Sequence, residues 1–126
     1  KVSGKSEPWV VKMNGRCLCQ CVRVCLPTCD LINVKDCYIY NRGATYHELG
    51  DWLFVNAQYG IYFKYADENG AIRKKTFESN VIFVGLPEDF TADKFNVRFT
   101  QLNCCVDSCG NMIAEFAAHL HYCNKA

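Results

Sequence analysis

The chain has 126 residues, fourteen basic against thirteen acidic, ten of them cysteine and half of them apolar. A formal charge of +1, with both signs interspersed through residues 61–100, excludes the basic field on which nucleic-acid binding depends, and no run reaches the roughly 18 apolar residues of a membrane helix. One domain is expected at this length, large enough to bury roughly two-thirds of its unfolded surface; the cysteines therefore need an explanation other than a missing core.

Residues 1–8 carry neither an initiator Met nor an apolar signal core and read as a processed, trimmed or tagged end that leaves export open. Residues 9–13 follow as a short strand and Asn14-Gly15 as a break. Residues 16–26 are expected to be extended, and they place Cys17, Cys19, Cys21 and Cys25 on alternate positions. Such side chains project from one face of a strand, so these four form a row interrupted only by Arg23. Neighbours in the row are poor partners for each other. Their Cα atoms lie about 6.6–6.8 Å apart with parallel Cβ vectors, at the outer edge of disulfide geometry. The row looks to another segment, a metal or another molecule.

Pro27-Thr28-Cys29-Asp30 is a break, and residues 31–40 read as a strand carrying Cys37. Residues 52–65 put Leu53, Val55, Ala57, Tyr59, Ile61, Phe63 and Tyr65 on one face, with Asn56, Gln58 and Lys64 on the other. This period-two pattern, rich in aromatic and β-branched residues, predicts a half-buried strand. Ala66 to Gly70 follows as a hairpin loop, Asn69-Gly70 supplying positive-φ positions. Residues 71–79 return as an exposed strand and 81–85 as a more buried one, before a break at Leu86-Pro87. Residues 95–105 alternate again, Val106 to Gly110 turns the chain, and 111–122 place Met112, Ala114, Phe116, Ala118, Leu120 and Tyr122 on one face. Helix is the rival for that last segment, since Ala, Met, Glu and Leu are good helix formers. The alternation and the hairpin-length turn favour strand. Seven or more short strands without a helix predict an all-β, disulfide-rich fold, an antiparallel β-sandwich or barrel-like domain. Residues 1–30 are read as a cysteine-rich N-terminal arm or edge strands that contact a neighbouring subunit, and 31–126 as the β-sandwich domain.

The even cysteine count suits an oxidising destination. All ten, Cys17, Cys19, Cys21, Cys25, Cys29, Cys37, Cys104, Cys105, Cys109 and Cys123, are disulfide candidates, within the chain or between copies. Members of the row have Cys29, Cys37, Cys104, Cys105 and Cys123 as internal partners to choose from. Cys104 and Cys105 are adjacent on a strand and point to opposite faces, so they serve different partners. Cys109, in a turn, either closes onto Cys105 or faces an outside partner. A metal reading rests on His119-Leu120-His121-Tyr122-Cys123, whose two imidazoles and thiol share a strand face, against a solvent-facing strand edge with Cys123 in a disulfide. No nucleophile elbow, phosphate-binding glycine loop or spaced carboxylate pair occurs, and a dyad of Cys123 with His119 has spacing for chelation rather than proton transfer. The expectation is a protein that is not an enzyme and has no cofactor. Tyr59, Tyr62, Tyr65 and Trp52 line either a ligand groove or, as aromatic alternation more often does, a core or subunit interface.

The order of features over residues 37–122 resembles the SPOCS (spore coat) domain of endospore-forming Firmicutes. It is carried by DCYIY, by GDWLFVNAQYGIYFKY ending in a Tyr before an acidic loop, by TFESNVIFVGLP with Phe77, Val81 and Leu86-Pro87, and by the closing hairpin of FNVRFTQL and MIAEFAAHLHY. The family pattern has a Gly inside the second of these strands, where this chain has Gln58-Tyr59 with Gly60 displaced; residues 16–30 lie outside the resemblance. The resemblance implies a non-enzymatic β-domain of the spore's outer layers, made in a mother cell without a signal peptide and oxidised later. The combined expectation is a self-assembling structural subunit of a disulfide-cross-linked extracellular or spore-surface filament or layer. Its partners would be copies of itself and other spore-envelope or surface proteins, with no nucleic acid and no membrane span. Two alternatives stand beside it: a monomeric secreted β-domain that binds carbohydrate or protein, and a Cys/His metal-binding protein using His119, His121 and Cys123.

Overall fold

The computed structural model describes residues 15–85 and 90–124, with side chains at 17–85 and 95–122. It is all-β, with six strands: β1 (Gly15–Leu26), β2 (Leu31–Leu49), β3 (Trp52–Asp67), β4 (Ile72–Val84), β5 (Phe90–Val106) and β6 (Met112–Asn124). They form two antiparallel three-stranded sheets, ordered β1-β6-β5 and β2-β3-β4, packed face to face. The arrangement is a sandwich and not a closed barrel.

Fewer and longer strands appear here than the seven or more short ones expected. Residues 71–79 and 81–85, read as two strands, run together as β4, because Asn80 stays in register opposite Gln58 and its amide donates to Asn56 Oδ1 at 2.6 Å. The strand that begins at Leu31 does not end near Tyr40: bulges, one of them between Asn41 and Gly43, absorb the irregularity, and pairing with β3 resumes to Leu49. Residues 111–122 are strand, the centre of their sheet. The expected strand at 9–13 and the break at Leu86-Pro87 lie outside the described residues.

The core sits where the period-two pattern puts it. Val55, Ala57, Ile61, Phe63 and Tyr65 are all 0% exposed on the inner face of β3, against Phe99, Ala114, Phe116, Ala118 and Leu120 of the opposing sheet. Tyr59, Phe99 and Phe116 form an aromatic knot at its middle, with ring centroids 4.8–5.9 Å apart in tilted and edge-on geometries. The two open seams of the sandwich are each bridged by an amide. On one side Gln20 Nε2 of β1 donates to the carbonyl of Ile82 in β4 at 3.0 Å, and on the other Asn41 Nδ2 of β2 donates to the carbonyl of Val97 in β5 at 3.0 Å. Gly60 has a packing reason: a Cβ there would fall inside the ring of Tyr40 on the neighbouring strand.

The β3–β4 and β5–β6 turns are built alike. In one, Asp67 Oδ1 accepts from the amides of Asn69 and Ala71 at 2.9 Å, and Oδ2 accepts from Arg73 Nε at 2.6 Å. In the other, Asp107 Oδ1 accepts from the amides of Cys109 and Asn111 at 2.8 and 2.9 Å. Each turn closes with a glycine at φ +80°, Gly70 and Gly110. The Arg73 hydrogen bond, with the two amides, holds the Asp67 carboxyl below its ordinary value, and the amides of Asn111 and Cys109 do the same for Asp107. Depressed carboxylate pKa values give stability that is present above the unfolded value of about 3.9 and lost as pH falls through the folded ones. The denaturation midpoint is therefore expected to be flat around neutral pH and to fall in acid, more steeply in wild type than in Asp67→Asn or Asp107→Asn. Identical pH profiles in wild type and both variants would refute this role.

Candidate functional site, a thiol face on the outer sheet

Along β1 the alternation expected of residues 16–26 holds. Leu18, Val22 and Val24 pack against the core and Leu26 is buried in it, while Cys17, Cys19, Cys21, Arg23 and Cys25 are exposed on the outer face. Pairing with β6 sets what stands beside each: Cys17 opposite His121, Cys19 opposite His119, Cys21 opposite Ala117, Arg23 opposite Glu115 and Cys25 opposite Ile113. Beyond β6, strand β5 continues these rows with Asn96, Arg98, Thr100, Asn103 and Cys105. No thiol of β6 faces the row among the described residues. Cys25 and Cys105 lie in one row but on either side of Ile113, two strand spacings or about 9.5 Å apart, beyond the reach of a disulfide.

No sulfur–sulfur bond joins any two of the nine described cysteines. Of the internal partners expected for the row, Cys37 and Cys104 meet each other, and Cys29 and Cys105 are free. Cys123 pairs through its backbone with Gly15, and its side chain lies outside the described residues. Cys29 sits in the β1–β2 connector, which is docked on the β5–β6 turn: Thr28 Oγ1 and the Leu31 amide donate to the Gly110 carbonyl at 2.7 and 3.1 Å, and the Cys29 amide donates to Asn111 Oδ1 at 3.1 Å. Cys25, Cys29, Cys105 and Cys109 thus form an exposed group at one end of the sandwich. The turn-closing bond between Cys105 and Cys109 is not formed.

Cys104 and Cys105 do face opposite ways, Cys105 outward and Cys104 half-buried toward β2. There Cys104 Sγ is 2.7 Å from Cys37 Sγ. That is well inside the roughly 3.5–4.0 Å separation of ordinary nonbonded heavy-atom contacts. Burial, and then the neighbouring Cys37, push the Cys104 thiol far up.

His119 and His121 lie on the outer face of β6, and β6 is the central strand of its sheet rather than an edge. The imidazole planes are 24° apart with centroids at 6.2 Å. Thr100 Oγ1 lies 2.7 Å from His119 Nε2, and Cys17 Sγ lies 3.9 Å from His121 Nε2. Partial burial lowers both imidazole pKa values, Arg98 adding to the effect. Burial raises that of Cys17, as does Cys19, while Arg98 opposes the rise. A donor atom from each of Cys17, His119 and His121 lies within 4.8 Å of the other two. Cys17 of the neighbouring strand thus joins two members of the expected ligand set, His119 and His121; the side chain of the third, Cys123, lies outside the described residues.

The aromatic residues do not converge on a groove. Tyr59 and Tyr65 are core, at 1% and 0% exposed, whereas Trp52 is 59% exposed near the β2–β3 turn. Tyr62 stacks on Tyr38 at 5.0 Å on the outer face of the other sheet.

Comparison with family models, curated proteins and solved structures finds no match. The likeness to the spore coat domain rests on the sequence pattern alone. The opposition of Cys17 and Cys19 to His121 and His119 escaped sequence reasoning although each pair shows the same i, i+2 spacing, because the register joining them spans roughly a hundred residues of chain.

Proposed function

We propose that this chain is a self-assembling structural subunit whose copies are joined by disulfides through the thiol face, forming a filament or layer outside the cell or on a spore surface. One observation carries the reading: four exposed thiols stand in a row on an edge strand, and none of them is bonded to a described thiol of the same chain. A strand of another molecule laid along the outer edge of β1, unpaired among the described residues, would bring opposed Cα atoms to about 4.5–5.5 Å, inside the disulfide range. Each bridge takes two thiols, releases two protons and passes two electrons to an oxidant such as a low-molecular-weight disulfide or dioxygen. Several bridges along one edge make dissociation require several simultaneous reductions. The sequence pattern of residues 37–122 favours the spore surface as the place. The monomeric binding module loses its support with the dispersal of Tyr59, Tyr62, Tyr65 and Trp52.

Electrophoresis of material purified under oxidising conditions tests the reading. A ladder that collapses to the 14.4 kDa chain on reduction is expected; a single monomer band in both lanes would eliminate the polymer.

A further inference from the structure

We propose that Cys17, Cys19, His119 and His121 bind one zinc-class divalent ion on the outer face of the β1-β6-β5 sheet. The antiparallel register sets a C-x-C pair directly opposite an H-x-H pair, Cys17 against His121 and Cys19 against His119, so that the four residues stand at the corners of one quadrilateral on the sheet. Three of them already approach: the donor atoms of Cys17, His119 and His121 lie within 4.8 Å of each other. Tetrahedral zinc, with Zn–S of about 2.3 Å and Zn–N of about 2.0–2.1 Å, needs donor separations of about 3.4–3.8 Å. For these three, side-chain rotation by about an ångström supplies the difference, and Cys19 turns in from the neighbouring position of the row.

Thr100 is placed as a ligand-orienting partner. Its hydroxyl lies 2.7 Å from His119 Nε2; with Nε2–H donating to it, Nδ1 has a lone pair to offer the ion, the arrangement in which an outer partner fixes a metal-binding imidazole. Arg98 decides the fourth donor. It stands beside His119 in the register, half-buried, its Nε without a hydrogen-bond partner among the described residues. A dication held by imidazoles alone would be repelled there. Two thiolates cancel the charge of the ion, which makes Cys19, the next exposed thiol of the row, the complement to Cys17. On binding, each thiol gives its proton to solvent and each imidazole enters neutral; an S2N2 donor set suits zinc over harder cations. Held thiolates are withdrawn from oxidation, so the ion competes with bridging at Cys17 and Cys19 and leaves Cys21 and Cys25 outside the site. The site exists in a single reduced chain and does not rest on the assembly reading.

The test is anaerobic titration of the reduced, metal-free full chain with Co²⁺. One equivalent should produce the thiolate-to-cobalt charge-transfer band and the intense visible bands of tetrahedral cobalt, and Zn²⁺ should displace it. Cys21→Ser/Cys25→Ser should leave the spectrum unchanged, and Thr100→Val should weaken binding about 10–100-fold. The variant His119→Ala/His121→Ala, checked for native circular dichroism, should lose the tetrahedral bands. No tetrahedral spectrum in wild type, or the same spectrum in that variant, overturns the site; an undiminished charge-transfer band in Cys19→Ser overturns the four-donor set. A ladder on the non-reducing gel with no cobalt spectrum would leave assembly standing and remove the metal site, and the reverse pair of results would do the opposite.

Discussion

Protein in which Cys17, Cys19, Cys21 and Cys25 are all replaced by Ser is expected to fold as wild type does and to migrate as discrete small species, not as a ladder, without reductant. These side chains stand on the solvent face of an edge strand, and surface substitutions of this kind change stability by about 0.5 kcal/mol or less. The inward residues Leu18, Val22, Val24 and Leu26 are untouched, so β1 keeps its packing on the core. What is lost is the covalent connection between molecules, and with it the resistance of the assembled material to heat and denaturant. Circular dichroism and calorimetry on the monomer, beside turbidity of heated polymer, separate the two effects. Disappearance of the native spectrum in the fourfold variant would assign the row to internal stapling. An unaltered ladder would move the cross-links to the end group of Cys29, Cys105 and Cys109.

The fold was legible in the sequence wherever local chemistry decides it. The buried face of β3 was readable because seven apolar residues alternate without a break, and the two Asp-initiated turns because Gly70 and Gly110 supply positive φ. Strand lengths were not: the polar Asn80 and the bulge near Gly43 look like breaks locally, and only pairing with β3 carries the strands through them. The thiol row was legible as a row, since alternation alone puts Cys17, Cys19, Cys21 and Cys25 together. Its surroundings were not, because the placing of β1 beside β6 is a long-range event that no window of sequence contains. The same holds for Cys37 and Cys104, which are separated by 67 residues and meet only because β2 and β5 close one seam of the sandwich.

That meeting gives the second large effect. On oxidation Cys37 and Cys104 are expected to form an internal bond, two thiols yielding two protons and two electrons to the same oxidant. The bond would tie β2 to β5 beside the Asn41 bridge to Val97, across one of the two seams where no strand pairing joins the sheets among the described residues. Closing a loop of 67 residues removes unfolded-state entropy worth roughly 4 kcal/mol. Oxidised monomer lacking the β1 thiols should therefore unfold at clearly higher denaturant than the same protein reduced, and Cys37→Ala/Cys104→Ala should abolish that difference. The kinetics should be distinctive too. Attack in thiol–disulfide exchange needs a thiolate, and burial keeps Cys104 protonated, so Cys104 should react with alkylating reagents far more slowly than the exposed row. Equal denaturation midpoints with and without reductant would show that the pair stays as two thiols; labelling of Cys104 as fast as Cys21 would show that the seam opens. Both expected results together would assign the two thiol populations separate tasks, the buried pair holding one molecule shut and the exposed row holding molecules to each other.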